Sequence, residues 1–588
     1  METSTLKADK EVVDSHLKKR LVDNPEDLTS LPPRKKDAQL GDGHQQKNRE
    51  LLLGSAKSAT YNILLQLCLR LMSFFLNAVV LHHVSTDLLG VVNVRLLLLY
   101  STTLFISTEG FDQACLSKLE NKDWRQIINL SWCTVPVSCL VSGVLSTVWI
   151  FFLEAPDPHE IPHYYLGVVS YAASTIITCI ARPHFIVGQA FLWVKLRVSA
   201  VAVSELVRVV ITVVLVLKFP WLGIVSFSIA QIIHSLIYTA IYYVTFFINI
   251  DGKEENLIFT EIRDFFPQKP KNKPWLNREQ TVLAKNFFAS AIFKQILTEG
   301  EKYVMTVFGV LNFSDQGIYE VINNLGSLVP RFVFKPIEES GYVLFSQSLK
   351  RGQRLQDNTK EAVEMTTKVL TLLIRTVTLI GCIILVFGQS YSYLFLDWYG
   401  GKKISAGPGP LLLKWYSVYV LFLAVNGVTE CYYLATMGNE EISSYNKKLL
   451  VFSGVLLAST LALTRMFGSV GFIIANCINM GTRICHSMWY IEQCYKTSHH
   501  SPVRSLVMSK AVILSLVLSY CITQASEKYF CCSYGFLYQL VHVGIGAICF
   551  FSVLLVIWLK EPGIWVYVLE QYKAHKRTSP KNEGMKKE

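Results

Sequence analysis

Charge is scarce in this chain. Of its 588 residues 17% are charged and 51% are hydrophobic, whereas a soluble domain carries about a quarter charged residues. The usual marks of chemistry are missing too. The 14 cysteines include no Cys-x-x-Cys pair, so neither zinc-ligand spacing nor a dithiol redox motif is present. Most stand alone in apolar stretches (Cys68, Cys139, Cys382, Cys431), where a free thiol serves as a small hydrophobe. The adjacent pairs His82–His83 and His499–His500 lie at span ends and read as solvated loop residues rather than metal ligands. Gly400-Gly401-Lys402-Lys403 lacks the spacing of a phosphate loop, and no Gly-x-Ser-x-Gly elbow occurs. Glu338 and Glu339 are sequence neighbours; on a helix they point about 100° apart and make a poor acid/base pair. The sequence therefore predicts no enzyme, no cofactor and no metal, but a carrier without its own ATP hydrolysis.

What is abundant is long apolar sequence. Stretches of about twenty residues recur to the end, each able to cross roughly 30 Å of hydrocarbon as a helix. They fall near 59–81, 88–110, 127–152, 162–187, 196–218, 221–248, 282–310, 316–347, 367–389, 410–437, 447–466, 469–491, 505–524 and 537–559. The expected architecture is an all-α polytopic membrane protein of about fourteen spans. Residues 1–56 read as a disordered cytosolic tail, with no apolar signal segment. An N-lobe of spans one to six is expected over 57–248, a charged linker with Pro267, Pro270 and Pro274 over 249–281, and a C-lobe of spans seven to twelve over 282–491. Spans thirteen and fourteen follow over 492–560, then a cytosolic tail over 561–588.

The net charge of +12 sits in the tails and in alternate loops, which argues against nucleic acid as a partner and for a positive-inside topology. Lys118, Lys122, Arg125, Lys350, Arg351, Arg354, Lys447, Lys448, Lys496 and Arg504 mark one side; the loops His82–Asp87, Glu154–His163 and Asn312–Gln316 carry neither Lys nor Arg. Lys402, Lys403 and Lys528 are exceptions. Both termini are then cytosolic. Thr86-Asp87-Leu-Leu-Gly90 before span two is echoed by Ser314-Asp315-Gln-Gly317 before span eight, 228 residues on. Such duplication is common in transporters, though Asp and Gly also suit short turns.

An ionisable group in mid-membrane is costly unless it faces protein or water. Span one places Asn62, Gln66, Arg70, Ser73 and Asn77 on one helical face. Span two places Arg95, Thr102 and Glu109 at heptad spacing; this reads either as a cavity-lining stripe or as a buried lock between helices. Span eight carries Glu320, Asn324, Ser327, Arg331, Lys335 and Glu338 as one stripe. Pro330 and Pro336 should kink it, and Lys335 is in reach of Glu338 or Glu339. Span seven, with Lys294, Gln295, Glu299, Glu301 and Lys302 around Gly300, is too polar to face lipid. Glu205 and Arg208 are expected to pair; Asn426 and Glu430 share a face of span ten, and Asn476, Asn479 and Arg483 one of span twelve. Arginines on opposed halves suit a phosphate or pyrophosphate.

Several runs resemble a known family: Gly90-Val-Val-Asn-Val-Arg95 leading into Leu99-Tyr-Ser-Thr-Thr103, Lys294-Gln-Ile-Leu-Thr-Glu-Gly-Glu301, Gln316-Gly-Ile-Tyr319 and Asn323-Asn-Leu-Gly-Ser-Leu328. Lys335-Pro-Ile-Glu-Glu-Ser340, Asn426-Gly-Val-Thr-Glu430 and Gly468-Ser-Val-Gly-Phe472 continue the likeness, which runs from about 55 to 559. The chain resembles the Rft family of endoplasmic-reticulum membrane proteins, within the multidrug/oligosaccharidyl-lipid/polysaccharide exporter superfamily. The resemblance implies two pseudo-symmetric six-helix lobes around a central cavity plus two C-terminal helices. It implies work in dolichol-linked oligosaccharide assembly for protein N-glycosylation, with Man5GlcNAc2-PP-dolichol moved from the cytosolic to the lumenal leaflet. On that reading Arg70, Arg95, Asn62, Gln66, Asn324, Arg331 and Lys335 serve pyrophosphate and sugars, helped by aromatic rings such as Tyr303 and Tyr319. Glu109, Glu299, Glu301, Lys302, Glu338, Glu339 and Glu430 form a charge network. The likeness departs in span four, where Arg182 precedes Pro183 and the family implies an acid. Two other readings stay open: a membrane scaffold or chaperone of the same pathway, and an ion-coupled exporter using Glu299, Glu301 or Glu430.

Overall fold

The computed structural model describes residues 74–117, 123–191, 193–251, 261–270, 273–496, 502–532 and 535–563, with Met72 and Phe259. The described chain is helical and contains no strand. Helices stand at the predicted positions from the end of span one (Phe74–His83) through span fourteen (Phe536–Lys560). Seven are long and apolar enough to cross a membrane, or eight if one bent pair counts as a span. The rest carry a polar or broken helix where a span is expected, so the figure of fourteen stands as the sequence expectation.

Local chemistry explains the breaks. Span four runs Tyr164–Ile180 and Arg182–Ala190 with a 45° bend between them, at Pro183, which supplies no backbone donor to the preceding turn. Span eight runs Phe313–Gly326, then a wide turn Pro330–Phe334, then Lys335–Ser348, with a proline opening each of the last two segments. Span seven is Arg278–Thr298 and Gly300–Val307, interrupted at Glu299. Span two begins at Thr86–Gly90, capped by the Ser85 hydroxyl, and passes a wide turn over Val91–Leu96 into Leu97–Leu116. Span nine, Lys360–Gly400, is 41 residues long. At about 1.5 Å per residue it measures roughly 60 Å, twice a hydrocarbon layer of roughly 30 Å.

Within the first lobe span six (Ile224–Asp251) packs along spans four and five (Val194–Lys218), and span two packs on spans three and four. In the second, span ten (Gly409–Thr436) is central, touching spans eight, nine and twelve (Val470–Cys494). The C-terminal hairpin, Lys510–Phe530 with Phe536–Lys560, lies on span nine. It is fastened by Tyr391 donating to the His542 carbonyl at 2.7 Å, Ser390 and Thr523 at 2.9 Å, Lys414 to Glu527 at 3.1 Å and Arg375 to Glu561 at 3.0 Å. Large apolar side chains such as Leu140, Phe151, Ile548 and Trp558 point outward, as lipid permits and water does not.

The described part of the 249–281 segment is held against the first lobe. Asn129 donates to the carbonyls of Gln268 (2.8 Å) and Trp275 (2.9 Å) and accepts from the Gln268 amide (3.0 Å). Trp132 donates to Phe265, Gln126 to Pro274, and Lys273 pairs with Asp123. Phe265 is fully buried and stacks on His184 at 4.5 Å.

Candidate functional site

Asn62, Gln66 and Arg70 lie outside the described residues. The rest of the predicted site divides into charges that are already paired and a short stripe that is open.

The span-two face settles between its two readings in favour of a seam. Thr102 is hydrogen-bonded to the Tyr303 hydroxyl at 2.6 Å and accepts from Gln295 at 3.4 Å, and Glu109 pairs with Lys294 at 2.6 Å, so the face meets span seven. Arg95 is fully buried. One terminal nitrogen donates to the Glu154 carbonyl at 2.7 Å, and the guanidinium lies over the Phe313 ring at 4.8 Å. In this conformation Arg95 is sealed in helix contacts and offers no face to a diphosphate. The cavity-lining reading of the span-two face therefore does not apply to Arg95 in this conformation. The cause is Phe313, which the heptad pattern of span two does not reveal.

In the second lobe Lys302 is 3.1 Å from Glu299 and 3.8 Å from Glu320. Glu301 accepts from the Tyr319 hydroxyl at 2.8 Å and from Asn476. Glu430 accepts from Arg483 and the Tyr445 hydroxyl, each at 2.5 Å, and from Asn426 at 2.9 Å. Each of these charges has a partner, as buried charges in low dielectric must, although Arg483 Nε and Asn426 Oδ1 are left without one. The Glu205–Arg208 pair expected in span five forms, with His234 3.9 Å from Glu205.

Span eight differs. Asn324, Arg331 and Lys335 are exposed along it, while Val321, Ile322, Leu325 and Phe334 on the same helix are buried. The Arg331 side chain makes no hydrogen bond or ion pair among the described residues. Lys335 reaches Glu339, not Glu338, and only at 3.9 Å with both side chains largely exposed. The wide turn at Pro330–Phe334 rotates Arg331 relative to the helix above it, because one extra residue enters the turn. Open cationic groups at this depth require water beside them.

Two features escaped the sequence reading. Asp112 holds Arg182 at 3.0 Å, both side chains nearly buried; the polar end of span two and the anomalous Arg182 were the available signals. The other is a cleft of about 600 Å³ between spans nine, ten and thirteen, lined by Cys382, Gln389, Lys414, Trp415, Leu516 and Tyr520 among others. It lies apart from the span-eight stripe. No cluster of three or more His, Cys, Asp or Glu that could hold a metal occurs among the described residues.

Comparison with known proteins bears on this arrangement. The family model described as Rft protein matches residues 54–571. The Xenopus tropicalis protein named Man(5)GlcNAc(2)-PP-dolichol translocation protein RFT1 is 43% identical over 506 residues, 85% of this chain and 94% of the relative. The Mus musculus protein of the same name is 40% identical, with 85% and 94% covered. Among solved structures, "Lipid II flippase MurJ, inward closed conformation" aligns at a TM-score of 0.55 and 12% identity, over 85% of this chain and 99% of that one. At that identity the likeness concerns the fold alone.

Proposed function

The chain belongs to the Rft protein family, and on that footing we propose that it moves a pyrophosphoryl-dolichol glycolipid, Man5GlcNAc2-PP-dolichol, from the cytosolic to the lumenal leaflet of the endoplasmic-reticulum membrane. The relatives' names supply the cargo, and the transporter-like fold supplies the means. The observation that carries the reading is the open stripe Asn324, Arg331 and Lys335 on a helix whose Val321, Ile322, Leu325 and Phe334 are buried. Arg331 and Lys335 supply the charge a pyrophosphate needs, Arg331 with a fork that matches two phosphate oxygens. Asn324 donates one amide hydrogen to Glu320 at 3.4 Å and keeps the other, with its carbonyl oxygen, for sugar hydroxyls. Arg70, Asn62 and Gln66 would complete the site from span one. The polyisoprenoid tail stays in lipid while the headgroup crosses, by motion of one lobe against the other. The loop charges support a topology with both termini in the cytosol.

A scaffold or chaperone of the same pathway is the second reading, favoured by how many intramembrane charges are locked in pairs: Arg182–Asp112, Arg483–Glu430, Lys302–Glu299. Glu299, Glu301 and Glu430, the acids an ion-coupled exporter would use, are each engaged by a neighbour. The test is purified protein in liposomes with labelled lipid-linked oligosaccharide. Transbilayer movement is expected to fall in Arg70→Ala with Arg331→Ala; movement equal to that of the unaltered protein sinks the translocation reading.

A further inference from the structure

The first half of span two and the first half of span eight cross at two glycines. A Cβ added at Gly90 would run into the Phe313 carbonyl, and one at Gly317 into the Thr86 carbonyl and, at 2.8 Å, the Gly90 nitrogen. Beside the crossing the Thr86 and Ser314 hydroxyls are hydrogen-bonded at 2.6 Å. These are the two copies of the sequence echo, 228 residues apart, so each repeat element meets its own counterpart. By the loop charges this contact lies on the lumenal side. Lys403 braces it by donating to the carbonyls of His82 (3.1 Å) and Val84 (3.3 Å). At the two glycines the contact is backbone against backbone, with one hydroxyl pair beside it. Such a surface holds by close packing and parts without breaking an ion pair.

What the crossing covers is Arg95. Its Nε and second terminal nitrogen have no hydrogen-bond partner, although the side chain is fully buried. The Tyr164 hydroxyl stands beside them, interacting electrostatically with the guanidinium but outside hydrogen-bond geometry. Buried unpaired donors on a cation destabilise the arrangement that encloses them. The lid over them is Phe313, which belongs to the other lobe and would leave with Gly317 if the crossing opened.

We propose that the Gly90–Gly317 crossing is a lumenal gate, and that opening it uncovers Arg95 as an anion-binding residue for the diphosphate on the lumenal half of the path. The cargo follows the functional reading above; the gate does not depend on it. In the closed state Arg95 is withheld, so the diphosphate meets the span-eight stripe first. In the open state the two free nitrogens present a bidentate edge to phosphate oxygens.

The test uses full-length protein in proteoliposomes carrying Thr86→Cys and Ser314→Cys together. Oxidation should join the two cysteines, as found by peptide mapping, and adding Gly90→Ala should lower the yield; Gly317→Ala serves where Gly90→Ala fails to accumulate. Phenylglyoxal, which modifies accessible guanidinium groups, should spare Arg95 in the oxidised protein and modify it in the glycine variant. Inorganic pyrophosphate should protect it there. Arg95 equally reactive in both proteins overturns the gate, and modification indifferent to pyrophosphate overturns the anion role. These readouts need no lipid movement, so they stand or fall separately from the translocation reading. Where movement is measured, it should stop on oxidation and return on reduction; movement that continues through the crosslink overturns the gate.

Discussion

Removing one partner of the Asp112–Arg182 pair should damage the protein far more than removing both. The ion pair spans 3.0 Å with side chains 10% and 15% exposed. Asp112 Oδ1 and Arg182 Nε have no other hydrogen-bond partner. Arg182→Ala therefore strands a carboxylate, and Asp112→Ala a guanidinium over the Phe185 ring (4.8 Å). Breaking a buried pair from one side costs about 3–5 kcal/mol, whereas apolar replacement of both partners is often neutral. The assay is thermal unfolding in detergent of four proteins: unaltered, Arg182→Met, Asp112→Leu, and both. The expected order puts each single variant well below the unaltered protein and the double variant close to it. Single and double variants melting together would refute the argument, because the damage would then come from lost packing rather than from an unpaired charge.

Arg331→Ala should leave the melting temperature within a degree or so of the unaltered protein, since the side chain is exposed and unpaired and surface substitutions usually stay within about 0.5 kcal/mol; lipid movement should nonetheless fall, and a parallel loss of stability would count against a cargo role. Arg95→Ala should lower the melting temperature through the lost Glu154 hydrogen bond, the lost Phe313 contact and the cavity left behind, a loss reduced by the removal of two unpaired buried donors. Lys414→Ala should loosen one end of the C-terminal hairpin and Arg375→Ala the other, read as faster protease cleavage near 531–535 and near 561–563 respectively; unchanged cleavage would show that the central Ser390, Thr523 and His542 contacts suffice.

Much of this was legible in the linear sequence. Helix positions were, because lipid dictates helices about twenty residues long; the count of fourteen and the sidedness drawn from loop charge stand as expectations of the sequence. Of the span-eight stripe, Asn324, Arg331 and Lys335 are exposed as the three- and four-residue steps suggest, whereas Glu320 is buried beside Lys302 and the wide turn at Pro330–Phe334 interrupts the period. What periodicity cannot supply is the partner. Arg95, Thr102 and Glu109 share a face whichever surface they meet, and only the Phe313 ring, the Tyr303 hydroxyl and the Lys294 ammonium turn that face into a seam. Asp112 stayed hidden for the same reason, 70 residues from the arginine it holds. The echo at Gly90 and Gly317 was visible as a repeat but not as a contact, since similarity between two segments says nothing of whether they touch.

The pinned segment before span seven has a mechanical consequence. Asn129, Trp132 and Gln126 fix it as far as Trp275, and the helix begins at Arg278, so almost no free chain remains between the halves. A tether with no slack cannot let the lobes drift apart; it turns any displacement into torque on the helix that follows. That helix is already interrupted at Glu299, where such a twist would be concentrated.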